Sequence, residues 1–171
     1  MNNLINKEDI NNNCRQCTAQ DELVNSCIDE AQRLDIIPAI GADLWLQLEE
    51  SLQPDAPTDM AIALLWDGGT YTSRCGETRI FAGLKKALCY YAYARIVRSS
   101  GGVSTRFDFV VKADQYSDSA DLKAKTQAYN EAFATADGYK AQCLLYIADQ
   151  LAPCKPVKMR NNRLSIKKIG Y

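Results

Sequence analysis

Cys14 and Cys17 are the first residues in this chain whose types and spacing could do chemistry. A CxxC pair offers half of a tetrahedral zinc site, or both sulfurs of a redox disulfide. The other half of a zinc site does not follow. The chain has no histidine, and Cys27, Cys75, Cys89, Cys143 and Cys154 each stand alone in sequence. A thioredoxin-like use would need a βαβ pattern around the pair, and the asparagine-rich flanks give none. Cys27, Cys89 and Cys143 lie among apolar helical neighbours and read as small core residues. We therefore expect no metal, no cofactor and no functionally required cysteine.

Other chemistry is equally hard to assemble. Without histidine, the Ser-His-Asp and Cys-His nucleophile systems are excluded. Gly68-Gly69 and Gly101-Gly102 lack the spacing and the following Lys-Ser/Thr of a phosphate loop. Glu49 and Glu50 are adjacent on a helix, so they point apart and make a solvated face. An acid–base pair created only by folding stays open. No catalytic residue is assigned, and we expect a protein that is not an enzyme. Tyr90, Tyr91 and Tyr93 could stack bases, but such surfaces interleave aromatic with basic groups. Here Lys85, Lys86, Arg95 and Arg98 sit only at the helix ends, so core packing is the better reading, as it is for Trp45 and Trp66.

The elements behind these residues are mostly helical. Residues 1–18, with Asn2, Asn3, Asn6 and Asn11 to Asn13, predict turns and loose docking. A helix follows over about 20–34, with Leu23, Val24, Cys27, Ile28, Ala31 and Leu34 as its buried stripe. Pro38 and Gly41 break the chain, and a second helix restarts with Leu44, Trp45, Leu48 and Leu52 on one side. Asp55 is placed to cap the next helix, with Pro57 in its first turn and Asp67-Gly68-Gly69 at its end. "TYTSR" and "ETRIF" flank Cys75-Gly76 as a hairpin. "FAGLKKALCYYAYARIV" (81–97) is helical with apolar residues on every face, too many for three helices to cover. "RFDFVVK" alternates as a half-buried strand or extended arm, and a long helix spans about 119–151, with Asp118 and Asp121 at its cap and Tyr129, Phe133, Ala136, Leu144, Ile147 and Leu151 as its stripe.

The length suits one domain. We expect a mainly α fold: a helical bundle of about four main helices with a short β-hairpin, an extended arm and a basic C-terminal tail. Its divisions are a polar segment 1–18, a helical domain 19–152 and a tail 153–171. No apolar run approaches the ~20 residues of a membrane helix, and the polar start predicts no secretory signal. The net charge of −1 hides an asymmetry. Residues 155–171 hold Lys155, Lys158, Arg160, Arg163, Lys167 and Lys168 and no acid, leaving 14 bases against 21 acids elsewhere.

The stretches "DEAQRLDIIPAIGADLWLQL", "LLWDGGTY", "GLKKALCYYAYARIV", "FVVKADQYSDSA" and the closing "RLSIKKIG" occur in an order that resembles the head–tail connector (adaptor, or ring) proteins of tailed bacteriophages, of the crAss-like and Bacteroidales phage type. The likeness spans about residues 19–170. It implies a small helical subunit of a ring, typically dodecameric, that sits beneath the portal and carries the DNA channel toward the tail. The implied partners are the portal protein, neighbouring copies and further tail or ring proteins, with genomic DNA passing without sequence-specific binding and no membrane. The implied place is the virion, at the head–tail interface, after assembly in the bacterial host cytoplasm. The asparagine-rich start has no counterpart in the family's pattern.

Physical reasoning adds candidate residues. Leu164, Ile166 and Ile169, with Lys158, Arg160, Arg163, Lys167 and Lys168, suit a strand that docks on the portal or a neighbouring subunit. Phe107, Phe109, Val111 and Tyr116 suit an arm between subunits, and a neighbouring copy is expected to complete the cover of helix 81–97. An acidic body suits a channel wall that repels phosphate. The competing reading is a small helical nucleic-acid-binding module using the tail as its basic arm.

Overall fold

Among the described residues, seven helices and two short hairpins follow in the order α1 (Lys7–Asn13), α2 (Asp21–Ala31), α3 (Ile37–Ile40), α4 (Ala42–Ser51), α5 (Met60–Asp67), β1 (Gly69–Thr72), β2 (Thr78–Phe81), α6 (Leu84–Ser99), β3 (Gly102–Ser104), β4 (Phe109–Val111) and α7 (Leu122–Tyr146). π-helical turns at Gln32–Ile36 and Ile147–Leu151 extend α2 and α7. This computed structural model describes residues 3–53, 59–99, 102–104, 109–111 and 122–151. The expected mainly α bundle is what forms.

α6 is the axis. Leu84, Ala87, Leu88, Cys89, Tyr91, Ala92, Ala94 and Ile96 are all buried, so no rotation of this helix offers a polar side to water. α7 lies along it, α2 packs on a second side, and α1 and α5 close the rest. The expected need for a neighbouring copy is corrected here: the chain covers its own central helix. The missing cover comes from residues 3–18, which the sequence suggested were loosely docked.

Those residues are held by the asparagines that seemed to argue against order. Asn6 caps α1, accepting from the Asp9 N–H while its own N–H donates to the Asp9 carboxylate. Asn11 accepts from the Cys17 N–H at 2.7 Å. Lys7 Nζ reaches the Ala19 carbonyl at 2.6 Å and Asp21 at 2.8 Å. Ile5, Ile10 and Cys17 are buried in the core, and Asp9 pairs with Lys85 of α6 at 2.7 Å.

Two other expectations change. Leu34 does not close the α2 stripe; it is 64 % exposed. The π turn widens the helix at this point, rotating Leu34 outward and bringing Gln32 and Ile36 inside. Its cause is Pro38, whose ring clashes with the carbonyl four residues back in a regular helix. The Ile37 N–H bonds the Gln32 carbonyl instead, five residues back, so Pro38 is accommodated and Gly41 ends the helix. Next, Trp45 and Leu48 are buried on α4, whereas Leu52 is 39 % exposed. Asp59, not Asp55, caps α5, accepting from the Ala61 N–H. Asp55, Pro57, Asp118 and Asp121 lie outside the described residues.

The hairpin β1–β2 is antiparallel with Tyr71 opposite Arg79. Ser73 N–H donates to the Glu77 carbonyl and Gly76 N–H to the Ser73 carbonyl, closing a three-residue turn with Gly76 at φ +83. Side chains alternate along β1 into the turn: Tyr71 and Ser73 are buried, while Thr70, Thr72 and Arg74 are exposed. Gly68 and Gly83 sit backbone against backbone at its base, where any Cβ would fall within 2.5 Å of main-chain atoms. The arm is a second hairpin, with β3 and β4 paired Ser104 to Phe109 and Gly102 to Val111.

Candidate functional site

The best-built polar contact between distant parts of the chain joins the first hairpin to the end of the last helix. Tyr71 and Phe81 project from one hairpin face onto Tyr146: Phe81 stacks on it at 4.7 Å, and Tyr71 meets it edge-on at 5.0 Å. The Tyr146 hydroxyl donates to the Ala61 carbonyl of α5 at 2.9 Å. Around this apolar anchor stands a ring of polar bonds. Arg79 Nη1 lies 3.2 Å from Asp149 Oδ2, Arg74 Nε donates to the Asp149 carbonyl at 2.8 Å, and Gln150 Nε2 donates to the Thr72 carbonyl at 2.6 Å. In a regular helix the Asp149 carbonyl would accept from residue 153, but that residue is proline and has no N–H. Arg74 satisfies the acceptor that proline leaves free.

A second polar cluster lies where α6 and α7 meet the first π turn. Arg95 Nη1 is 2.8 Å from Asp35 Oδ2, both side chains largely enclosed, and Arg95 Nε is 3.5 Å from Glu30. The Asp35–Arg95 contact is an ion pair by distance whose angles fall outside hydrogen-bond alignment. Burial pushes the Asp35 carboxyl above the usual carboxylate range, and the Arg95 charge pulls it partly back. Nearby the Tyr91 hydroxyl donates to Asp137, which also accepts from Lys140 at 2.7 Å. Lys140 and then Tyr91 hold the Asp137 carboxyl below its usual range, while burial raises the Tyr91 phenol. Tyr91 and Asp137 join α6 to α7 by a hydrogen bond and Arg95 joins α6 to the first π turn by charge, which is the arrangement of a structural network. Tyr90 packs on Tyr139 at 5.5 Å, with the Lys86 ammonium 5.3 Å from the Tyr139 ring. The tyrosines thus pack the α6–α7 seam, as the sequence suggested.

The cysteines are less solitary than their spacing implied. Cys14 packs against the core that holds Cys89 of α6; the Cys89 thiol, with burial, holds the Cys14 thiol well above the ordinary thiol range. A thiol kept protonated is a poor nucleophile and a poor metal ligand. Cys27 and Cys143 are buried, and burial raises both. Among the described residues no three Cys, Asp or Glu side chains converge in a way that would hold a metal ion. A shallow cleft of about 450 Å³ lies where α1 meets α2, lined by Asn6, Lys7, Asn11, Asp21 and Asn25, with Lys7 already engaged.

Of the residues singled out from sequence, Phe109 and Val111 lie on β4, paired to β3. Phe107 and Tyr116 lie outside the described residues. So do Lys158, Arg160, Arg163, Leu164, Ile166, Lys167, Lys168 and Ile169. Sequence reasoning missed Asp149 and Gln150, which look like the ordinary polar side of a helix; Pro153 four residues after Asp149 was the available signal. Among the described residues no helix is long and apolar enough to cross a membrane.

Against known proteins, one family model matches, the family of unknown function DUF6712, over residues 38–153. The chain belongs to the DUF6712 family. No curated protein and no solved structure matches it. The DUF6712 segment opens at the proline that follows the first π turn and spans the hairpin, α6 and α7. It leaves out α1 and α2, which supply much of the cover over α6.

Proposed function

We propose that this chain is a structural virion protein, a subunit of the head–tail connector ring of a tailed bacteriophage, docked beneath the portal and extending the DNA channel toward the tail. What carries the proposal is the position of the stretches that resemble connector proteins. "DEAQRLDIIPAIG" is the α2–π turn–α3 passage, "LLWDGGTY" ends α5 and opens β1, and "GLKKALCYYAYARIV" is α6. They pack on one another in one core, so the likeness concerns a three-dimensional unit.

Charge supports the same reading. Outside the tail, acids outnumber bases 21 to 14, and unneutralised acids repel phosphate, as a wall for sliding DNA requires. The tail, with Lys158, Arg160, Arg163, Lys167 and Lys168 beside Leu164, Ile166 and Ile169, is the docking element toward the portal or an adjacent subunit. The need of α6 for cover no longer supports the ring, because α1 provides it. The test is imaging of the full chain mixed with the purified portal of the same phage. The expected result is a closed ring coaxial with the portal. No complex, or one or two copies off the axis, overturns the proposal. Duplex DNA binding with a steep salt dependence and no portal binding assigns the chain to the nucleic-acid module instead.

A further inference from the structure

The first hairpin has an open side. The Ser73–Glu77 bond fixes the alternation of the ladder, so Tyr71/Arg79 and Gly69/Phe81 are the pairs whose main-chain groups face each other. The N–H and C=O groups of Thr70, Thr72, Thr78 and Ile80 must then point away from the ladder. Gln150 confirms the pattern on β1, since the Thr72 carbonyl it bonds is one of these outward groups. On β2 nothing among the described residues bonds the outward groups of Thr78 or Ile80. The side chains beside this edge are Thr78 and Ile80, the latter 79 % exposed. An open edge carrying a large apolar side chain is a template for another strand.

We propose that the outer edge of β2 accepts a strand, and that its occupant is Arg163–Gly170 of a second copy of this chain. The inference rests on the connector-ring reading only for the supply of neighbouring copies. Among the segments outside the described residues, 152–171 is the longest, and "RLSIKKIG" within it alternates as a strand does, with Leu164 and Ile166 on one row and Arg163, Ser165 and Lys167 on the other. Gln150, beside the last described residue Leu151, is bonded on the β1 side, the edge opposite the open one, so the tail of a neighbouring copy is assigned to β2. Glu77, 67 % exposed just before β2, already pairs with Arg79 at 3.0 Å through one carboxylate oxygen, which leaves the other for the basic row. Two donors and two acceptors make a weak site, so occupancy depends on high local concentration, which a ring supplies.

The test is amide exchange on the isotope-labelled full chain from micromolar to millimolar concentration, with filtered contacts measured in a mixture of labelled and unlabelled copies. Thr78, Ile80, Leu164 and Ile166 amides should slow together, at least tenfold, as concentration rises, and Ile80 of one copy should contact Leu164 or Ile166 of another. Ile80→Pro removes an outward N–H and no bond of the hairpin itself, so it should abolish this protection while Tyr71 and Arg79 stay protected. Ile80→Lys, which keeps the N–H, should weaken it. Protection at Thr78 and Ile80 that does not depend on concentration assigns the edge to the chain's own tail and overturns the proposal. Unprotected amides at every concentration overturn it too. If Ile80→Pro chains still close a ring on the portal with unchanged affinity, the strand site is wrong and the connector reading stands; if wild-type chains form no ring there, the connector reading itself fails.

Discussion

Replacing Arg95 by methionine removes the charge facing Asp35 while keeping an apolar stem against α6. Both partners are largely enclosed, with 14 % of the Arg95 side chain and 10 % of Asp35 exposed. Breaking a fully buried pair by deleting one partner costs about 3–5 kcal/mol, because the other charge is stranded. Residual exposure lets some water reach Asp35, and the loss should be about 2–3 kcal/mol, a fall in Tm of roughly 4–12 °C for a chain of this size. The pH dependence identifies the cause. Burial already lifts the Asp35 carboxyl above its unfolded value, and Arg95 is the first influence opposing the lift. Below the unfolded pKa of ~4 the group is protonated in both states and costs nothing. As pH rises through the raised folded pKa, stability is lost, and the window widens when Arg95 is gone. The penalty of Arg95→Met should therefore be largest at neutrality and shrink on acidification. Adding Asp35→Asn should recover most of it. Urea titrations of the single and double variants at neutral pH and near pH ~4.5 decide the matter. An equal loss at both pH values, without rescue by Asp35→Asn, would mean that packing of the arginine stem explains the effect and the stranded-charge account is wrong.

Gly83→Ala should cost roughly 3 kcal/mol or more, because its Cβ would lie 2.4 Å from the Gly68 nitrogen. Gly76→Ala, at a similar φ but in open space, should cost about 1 kcal/mol, and thermal unfolding of the pair separates backbone collision from backbone strain. Changing Cys14 and Cys17 together to Ser should leave ring assembly intact while lowering stability by about 1–2 kcal/mol, since Cys17 is buried and Cys14 packs against the core that holds Cys89; stoichiometric zinc in the wild-type chain by elemental analysis, lost in the variant, would refute this. Deleting residues 155–171 should leave far-ultraviolet helicity unchanged and abolish incorporation on the portal; unchanged portal affinity would make the tail a solubilising extension.

Where periodicity alone decides structure, the sequence was legible. The α6 run, the Tyr71–Ser73 alternation and the buried Cys27, Cys89 and Cys143 follow from spacing and residue type. Residues 3–18 were misread because asparagine has two uses with one physical basis. A side-chain amide that competes with the backbone favours loops when it has no helix to cap, and order when it has one. Only the partner three residues on, Asp9, tells the cases apart, and that pairing lies within a single turn where no apolar stripe shows. The site was less legible still. Asp35 and Arg95 are sixty residues apart, and neither carries a local mark of the other.

The two π turns show how a proline can act at a distance from its own position. Each ends two residues before a proline, Gln32–Ile36 before Pro38 and Ile147–Leu151 before Pro153. In each case the helix widens where a regular turn would press the ring against a carbonyl. The first widening rotates Leu34 out of the core and Gln32 into it, where its side chain accepts from the Leu4 N–H at 2.8 Å and so anchors the start of the chain. The second leaves the Asp149 carbonyl for Arg74 and sets Gln150 against Thr72, which fixes the hairpin on the last helix. Neither proline breaks the fold. Each turns a regular helix end into a binding edge for another part of the chain, and the second does so at the point where the basic tail begins.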